Sequence, residues 1–178
     1  MKKIILTYGI LAGVIVSAML LITQPMFRNG MLDHVNGVYV GFTTMIIALS
    51  LIFFGVKSYR DTHLSGVITF WQAFAVGILI ALVASVMYAI TWDLYLRFTG
   101  TDFAAWYNQA QLDELIKEGA SEQELANARV EMDKFAEMYA NPFIRFGFTL
   151  IEIFPVGLII TMVSAGLLRK KEFLPATR

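Results

Sequence analysis

Long apolar runs alternate with short polar tracts along this chain, and the lengths of the runs decide what they are. Apolar residues dominate about 4–23, 39–56, 69–97 and 143–168, and the charges are gathered between them. A helix needs about 20 such residues to cross the hydrocarbon core of a bilayer. The pattern predicts an all-α integral membrane protein with four transmembrane helices. A further stretch, about 102–140, is polar and amphipathic, and is expected as an extracytoplasmic helical hairpin between spans 3 and 4. Residues 1–178 then form a single membrane domain.

Two of the runs carry small residues every fourth position. Gly9, Gly13 and Ser17 lie in the first, and Ala73, Gly77, Ala81, Ser85 and Ala89 in the third. Side chains four apart share one helix face, so each line is a flat strip. Lipid tails are as apolar as leucine, and membrane helices therefore associate by close backbone approach over small residues. The first and third spans run in the same direction, and Gly13 and Gly77 fall at similar distances from the starts of their runs. A direct contact centred on Gly13 and the Gly77–Ala81 turn is expected, the alternative being that one strip serves a homodimer. The second span has Gly41 and Ala48 as its small positions.

The polar tracts supply the helix ends. Residues 24–37 read as a short loop with Pro25, Asn29-Gly30 and Asn36-Gly37, and 57–66 as a polar elbow. Thr69-x-x-Gln72 and Ser121-x-x-Glu124 fit the capping box, in which the first side chain accepts from the third residue's amide and the third side chain returns the bond. Asp102 can cap a helix rich in aromatics that ends near Gly119, and Asn141-Pro142 stops the second hairpin helix. Leu125, Ala128, Met132, Phe135 and Tyr139 recur by three and four, which predicts one buried stripe. Trp71 suits one interfacial aromatic belt, and Trp92, Tyr95 and Phe98 the other. Asp93 and Arg97 are spaced for an i,i+4 pair.

Composition narrows the class. The chain is 57% hydrophobic and 16% charged with a formal net charge of zero, which leaves no case for nucleic-acid binding. It contains no cysteine, so disulfides, zinc–thiolate sites, iron–sulfur clusters and thiol catalysis are excluded together. Met1-Lys2-Lys3 followed by an apolar run also begins a secretory signal, but here the run is too long and meets no small-x-small cleavage site. Lys2, Lys3, Lys57, Arg60, Arg169, Lys170 and Lys171 fall on one side of the four spans. The excess of Lys and Arg in cytoplasmic segments makes that side the cytoplasm. The expected location is a bacterial inner membrane, with both termini cytoplasmic and the hairpin outside.

Several tracts resemble an uncharacterised bacterial membrane family, the domain-of-unknown-function family four-one-nine-nine. They are Phe54–Asp61, Thr69–Gly77, Gly119-Ala120-Ser121 and Glu152–Gly157. The resemblance covers nearly the whole chain and rests most on the elbow. It implies a four-span bacterial envelope protein and no activity.

Candidate chemistry centres on Glu152 in the fourth span. An acid at that depth costs about 2.5–3.5 kcal/mol on insertion scales for the related Asp. Pro155, three residues on, cannot donate to the Ile151 carbonyl. Such a kinked helix with a buried acid suits a proton relay or transporter; a protonated or hydrogen-bonded fastener between spans is the competing reading. Partners within reach are Arg145 two turns away and Tyr88, Thr91 or Asp93 on the third span. In the elbow, Lys57 and Arg60 can meet anionic headgroups or Asp61 can anchor the turn, with Tyr59 at the interface. Asp33-His34 is a weak metal pair and His63 lies across the membrane from it, so neither a metal nor a cofactor is expected. No phosphate-binding glycine loop or activated serine is apparent, which makes an enzyme the poorest class. The leading expectation is a non-enzymatic accessory or scaffold protein; the alternative is a small oligomeric transporter or ion pathway using Glu152 and the Pro155 kink. Membrane lipid is the expected partner, together with a second copy or another membrane protein.

Overall fold

The computed structural model describes residues 1–29, 31–32, 34–170 and 173–174. Among the described residues seven helices follow in order: α1 Lys2–Arg28, α2 His34–Leu49, α3 Leu51–His63, α4 Phe70–Thr99, α5 Phe103–Lys117, α6 Glu122–Ala140 and α7 Pro142–Leu168. The described residues contain no strand. Four stretches of the described residues are long and apolar enough to cross a membrane: Lys2–Phe27, Asn36–His63, Phe70–Thr99 and Pro142–Leu168. The second of these comprises α2 and α3, and α5 and α6 form the hairpin.

The helices run further than the polar tracts suggest. α1 continues past residue 23 through Pro25, and α2 begins at His34, so little of 24–37 is loop. The elbow is helical too. Lys57, Tyr59, Arg60 and Asp61 lie on the last turns of α3, because the Lys57 ammonium meets Asp61 at 2.6 Å in an i,i+4 pair. Such pairs favour helix. The turn that follows is confined to 64–69.

α4 is the centre of the bundle. Half of its most apolar window is buried, against 22% for the window of α7. All five small residues, Ala73, Gly77, Ala81, Ser85 and Ala89, are buried as expected. The contact they make differs from the expected one. An added Cβ at Gly77 would stand 2.7 Å from Thr161 of α7 and 3.2 Å from Ile52 of α3, and one at Gly157 would stand 2.9 Å from the Ala81 Cβ. The small line of α4 therefore receives α7. The α1 line does pack on α4, but on another face and about two turns further along: Gly9 lies against Val83 and Gly13 against Met87. Thr91 completes the series by donating to the Ser17 hydroxyl at 3.0 Å. Matching depth from the starts of the runs fails because α4 extends beyond the start of α1.

The caps form as their spacing predicts. Thr69 and Gln72 complete one capping box and Ser121 and Glu124 another. Asp102 accepts from the Ala105 amide at 3.0 Å. α5 ends in a Schellman motif, with the Gly119 amide bonded to the Ile116 carbonyl and the Ala120 amide to that of Leu115. Gly119 sits at φ +81°, where a Cβ is disfavoured. Replacing Ser121 by alanine is expected to cost about 0.5–2 kcal/mol at the start of α6, read as faster amide exchange in its first turn. The bonds from Ser121 hold the Glu124 carboxyl below its ordinary value of 4.5. Its contribution is complete above that value and is lost as pH falls through the lower, folded one. Fraying of α6 is accordingly expected below about pH 4.5.

Candidate functional site

Both halves of the bundle bring polar residues inside, and they do so differently. At the end bearing residues 1–3 and 173–174, the Arg60 side chain is completely buried. It donates to Asp61 at 2.7 Å and, on the far side, to the carbonyls of Phe173 at 2.9 Å and Leu174 at 2.5 Å. The guanidinium thus ties α3 to the segment after α7. Asp61 is held by Arg60 and Lys57, not by its own backbone as a turn anchor would be. Tyr59 stacks on His63 with ring centroids 5.2 Å apart. Lys2, Lys3, Arg169 and Lys170 remain exposed at this end. Lys171, Asp33 and the side chain of His34 lie outside the described residues.

At the hairpin end, Arg145 of α7 pairs with Asp93 of α4, and Arg97 meets the other Asp93 oxygen at 2.7 Å. Arg145 and Asp93 were candidate partners of Glu152 by proximity along the helices; they are committed to each other instead. Beside them the Trp92 indole donates to the Tyr139 hydroxyl at 2.6 Å. Trp92 and Tyr95 are therefore buried under the hairpin, and of the expected aromatic belt only Phe98 is exposed. Burial pushes the Tyr139 phenol up to about 12, so it stays protonated and able to accept from Trp92. Substituting phenylalanine at Tyr139 leaves that buried N–H without a partner. A loss of about 1–3 kcal/mol is expected, measurable as a lower melting temperature in detergent.

Between these ends lies a cavity. α3 packs on α1, α4 and α7, whereas α2 packs on α1 and α7 and barely meets α4. The helical run of the second span is interrupted at Ser50, between α2 and α3. Its hydroxyl bonds back to the Ile47 carbonyl at 2.6 Å, and the Phe53 amide takes the Ser50 carbonyl at 3.0 Å. Such back-bonding bends membrane helices. The space left beside α2 measures about 410 Å³, within the range of small-molecule sites. Phe27, Phe42 and Met45 form part of its wall, Phe103, Trp106 and Tyr107 of α5 another part, and Tyr88 and Glu152 face it from α4 and α7. A second cavity of about 220 Å³ shares Gln24, Tyr88, Phe103 and Glu152 and extends to Trp92, Tyr139 and Thr149.

Glu152 is exposed where the two cavities converge. Tyr88 is the polar group set against it. Thr91, another expected partner, bonds Ser17 and the Met87 carbonyl. The threonine hydroxyls of the larger cavity donate into their own helices, Thr23 to Met19 at 2.9 Å and Thr44 to Val40 at 2.8 Å. α7 runs unbroken through Pro155, which lies on the exposed face. Gln24 and the α5 aromatics are assigned no functional role from sequence. A glutamine at the end of an apolar run, followed by a helix opening Phe-Ala-Ala-Trp-Tyr, is the signal that could have found them. No group of three His, Asp or Glu side chains is placed to hold a metal ion among the described residues.

An all-helical chain with four apolar helices of membrane-crossing length, closed at one end and hollow at the other, defines a multi-pass membrane protein. The chain belongs to the family described as Protein of unknown function (DUF4199), whose profile matches residues 7–170. No curated protein and no solved structure matches significantly.

Proposed function

We propose that this chain is a non-enzymatic accessory protein of the bacterial envelope, a receptor for a small ligand and not a conduit. One contrast supports this reading. In the terminal half, Ile52, Val56, Ile80, Ala81 and Leu168 are at most 1% exposed and seal the bundle, while the hairpin half is hollow. The elbow contributes to the seal, since its arginine and aspartate are consumed by internal bonds. In proteoliposomes loaded with a pH-sensitive dye, the expected result is no proton flux above that of empty vesicles under an imposed gradient. A flux abolished by Glu152→Gln favours the second reading, a small oligomeric transporter or proton pathway using Glu152 and Pro155. That reading draws its support from the convergence of two cavities on a single acid.

The inner membrane, with both termini cytoplasmic, is part of the same proposal, supported by the cations gathered at the terminal end and the positive-inside bias. Cysteines placed singly at Ser65 and Ser121 are expected to label from opposite faces. Beyond lipid, a second copy or another membrane protein is the proposed partner, and cross-linking during purification in mild detergent reads both.

A further inference from the structure

The larger cavity has a specific chemical character, and its wall residues say what would fill it. Aromatic rings and aliphatic side chains make most of its surface, and Glu152 is the single ionisable carboxyl among its lining residues. Among the described residues, none that lines either cavity is Lys, Arg or His. The nearest guanidinium on α7, that of Arg145, is spent on Asp93 and the Tyr139 carbonyl. An ionised carboxylate accepts hydrogen bonds and donates none, and away from bulk water it is stable only beside a cation or as the neutral acid. Among the described residues, the protein places no cation beside this carboxyl. It does supply aromatic faces, Phe103 and Phe27 among them, and such faces attract ammonium groups.

We propose that this cavity binds a hydrophobic amine, with the protonated nitrogen at the Glu152 carboxylate and the apolar chain against the Phe27–Phe42 wall. The assignment rests on the receptor reading above and adds the ligand's class to it. Tyr88 and Gln24 sit at the charged end, where an ammonium has three donors to place. Gly41 sits along the apolar wall, and a Cβ there would have nothing within 4 Å. That opening is the room the chain of the amine would take.

The full chain in a non-ionic maltoside detergent can be titrated calorimetrically with three probes of equal chain length: hexylamine, hexanol and hexanoate. Hexylamine is expected to bind at least tenfold more tightly than the other two. Glu152→Gln should reduce hexylamine to the affinity of hexanol with the melting temperature unchanged. Glu152→Asp, which keeps the charge, should retain the preference and gives a second route should the glutamine variant not fold. Gly41→Phe should fill the cavity and weaken hexylamine and hexanol alike. Equal binding of all three probes, or a preference that survives Glu152→Gln, overturns the amine assignment and leaves the receptor reading standing. Absence of binding by every probe overturns both.

Discussion

Replacing Arg60 by alanine is expected to lower the stability of the bundle more than any other single polar substitution. Its side chain is fully buried and engages Asp61 and the carbonyls of Phe173 and Leu174. Removing one partner of a buried pair costs about 3–5 kcal/mol, because the groups left behind stay desolvated. Asp61 keeps Lys57, which places the expected loss near the lower end, at about 3 kcal/mol. Arg60→Lys is expected to recover little, since an ammonium cannot span three acceptors as a planar guanidinium does. Thermal unfolding in detergent measures both. Limited proteolysis after Leu168 reports the release of the tail in particular.

Enlarging Gly77 should do comparable damage by a steric route. A single added Cβ would come within 2.7 Å of Thr161 and 3.2 Å of Ile52, both fully buried, so neither neighbour has free space to move into. Gly77→Leu is expected to destabilise by about 1–3 kcal/mol or more. Gly147, on the same helix as Thr161, has nothing within 4 Å of an added Cβ. There Gly147→Ala should be neutral or stabilising by up to about 1 kcal/mol, from helix propensity alone. Melting temperatures of the two variants, side by side, separate close approach from mere glycine content.

The features legible in the sequence are those set by short-range physics. Span positions follow from hydropathy, and the caps at Thr69, Asp102 and Ser121 follow from bonds that close within three residues. Which face of α4 is small was legible as well, because helical period alone determines it. What that face touches was not. Register between helices depends on how far each protrudes, and the excess length of α4 at its start moved α1 by about two turns. Trp92 looked interfacial by position, yet its indole is covered once the hairpin folds over it. Glu152 was conspicuous as a lone acid in an apolar run. The hollow around it was invisible, since its wall draws on aromatics contributed by α5, more than forty positions away in sequence.

The central place of α4 bears on how the chain is made. Its two largest interfaces are with α1 and α7, which precede and follow it. During synthesis the first two spans emerge with only modest surfaces for one another, and α4 gives α1 its main partner. Arg60 waits longer still, because the carbonyls that satisfy it lie 113 and 114 residues downstream. Until the segment after α7 is in place, that arginine lacks two of its three acceptors. Maturation therefore closes at the terminal end last, and a nascent chain stalled before residue 173 would be left unlatched and open to quality-control proteolysis.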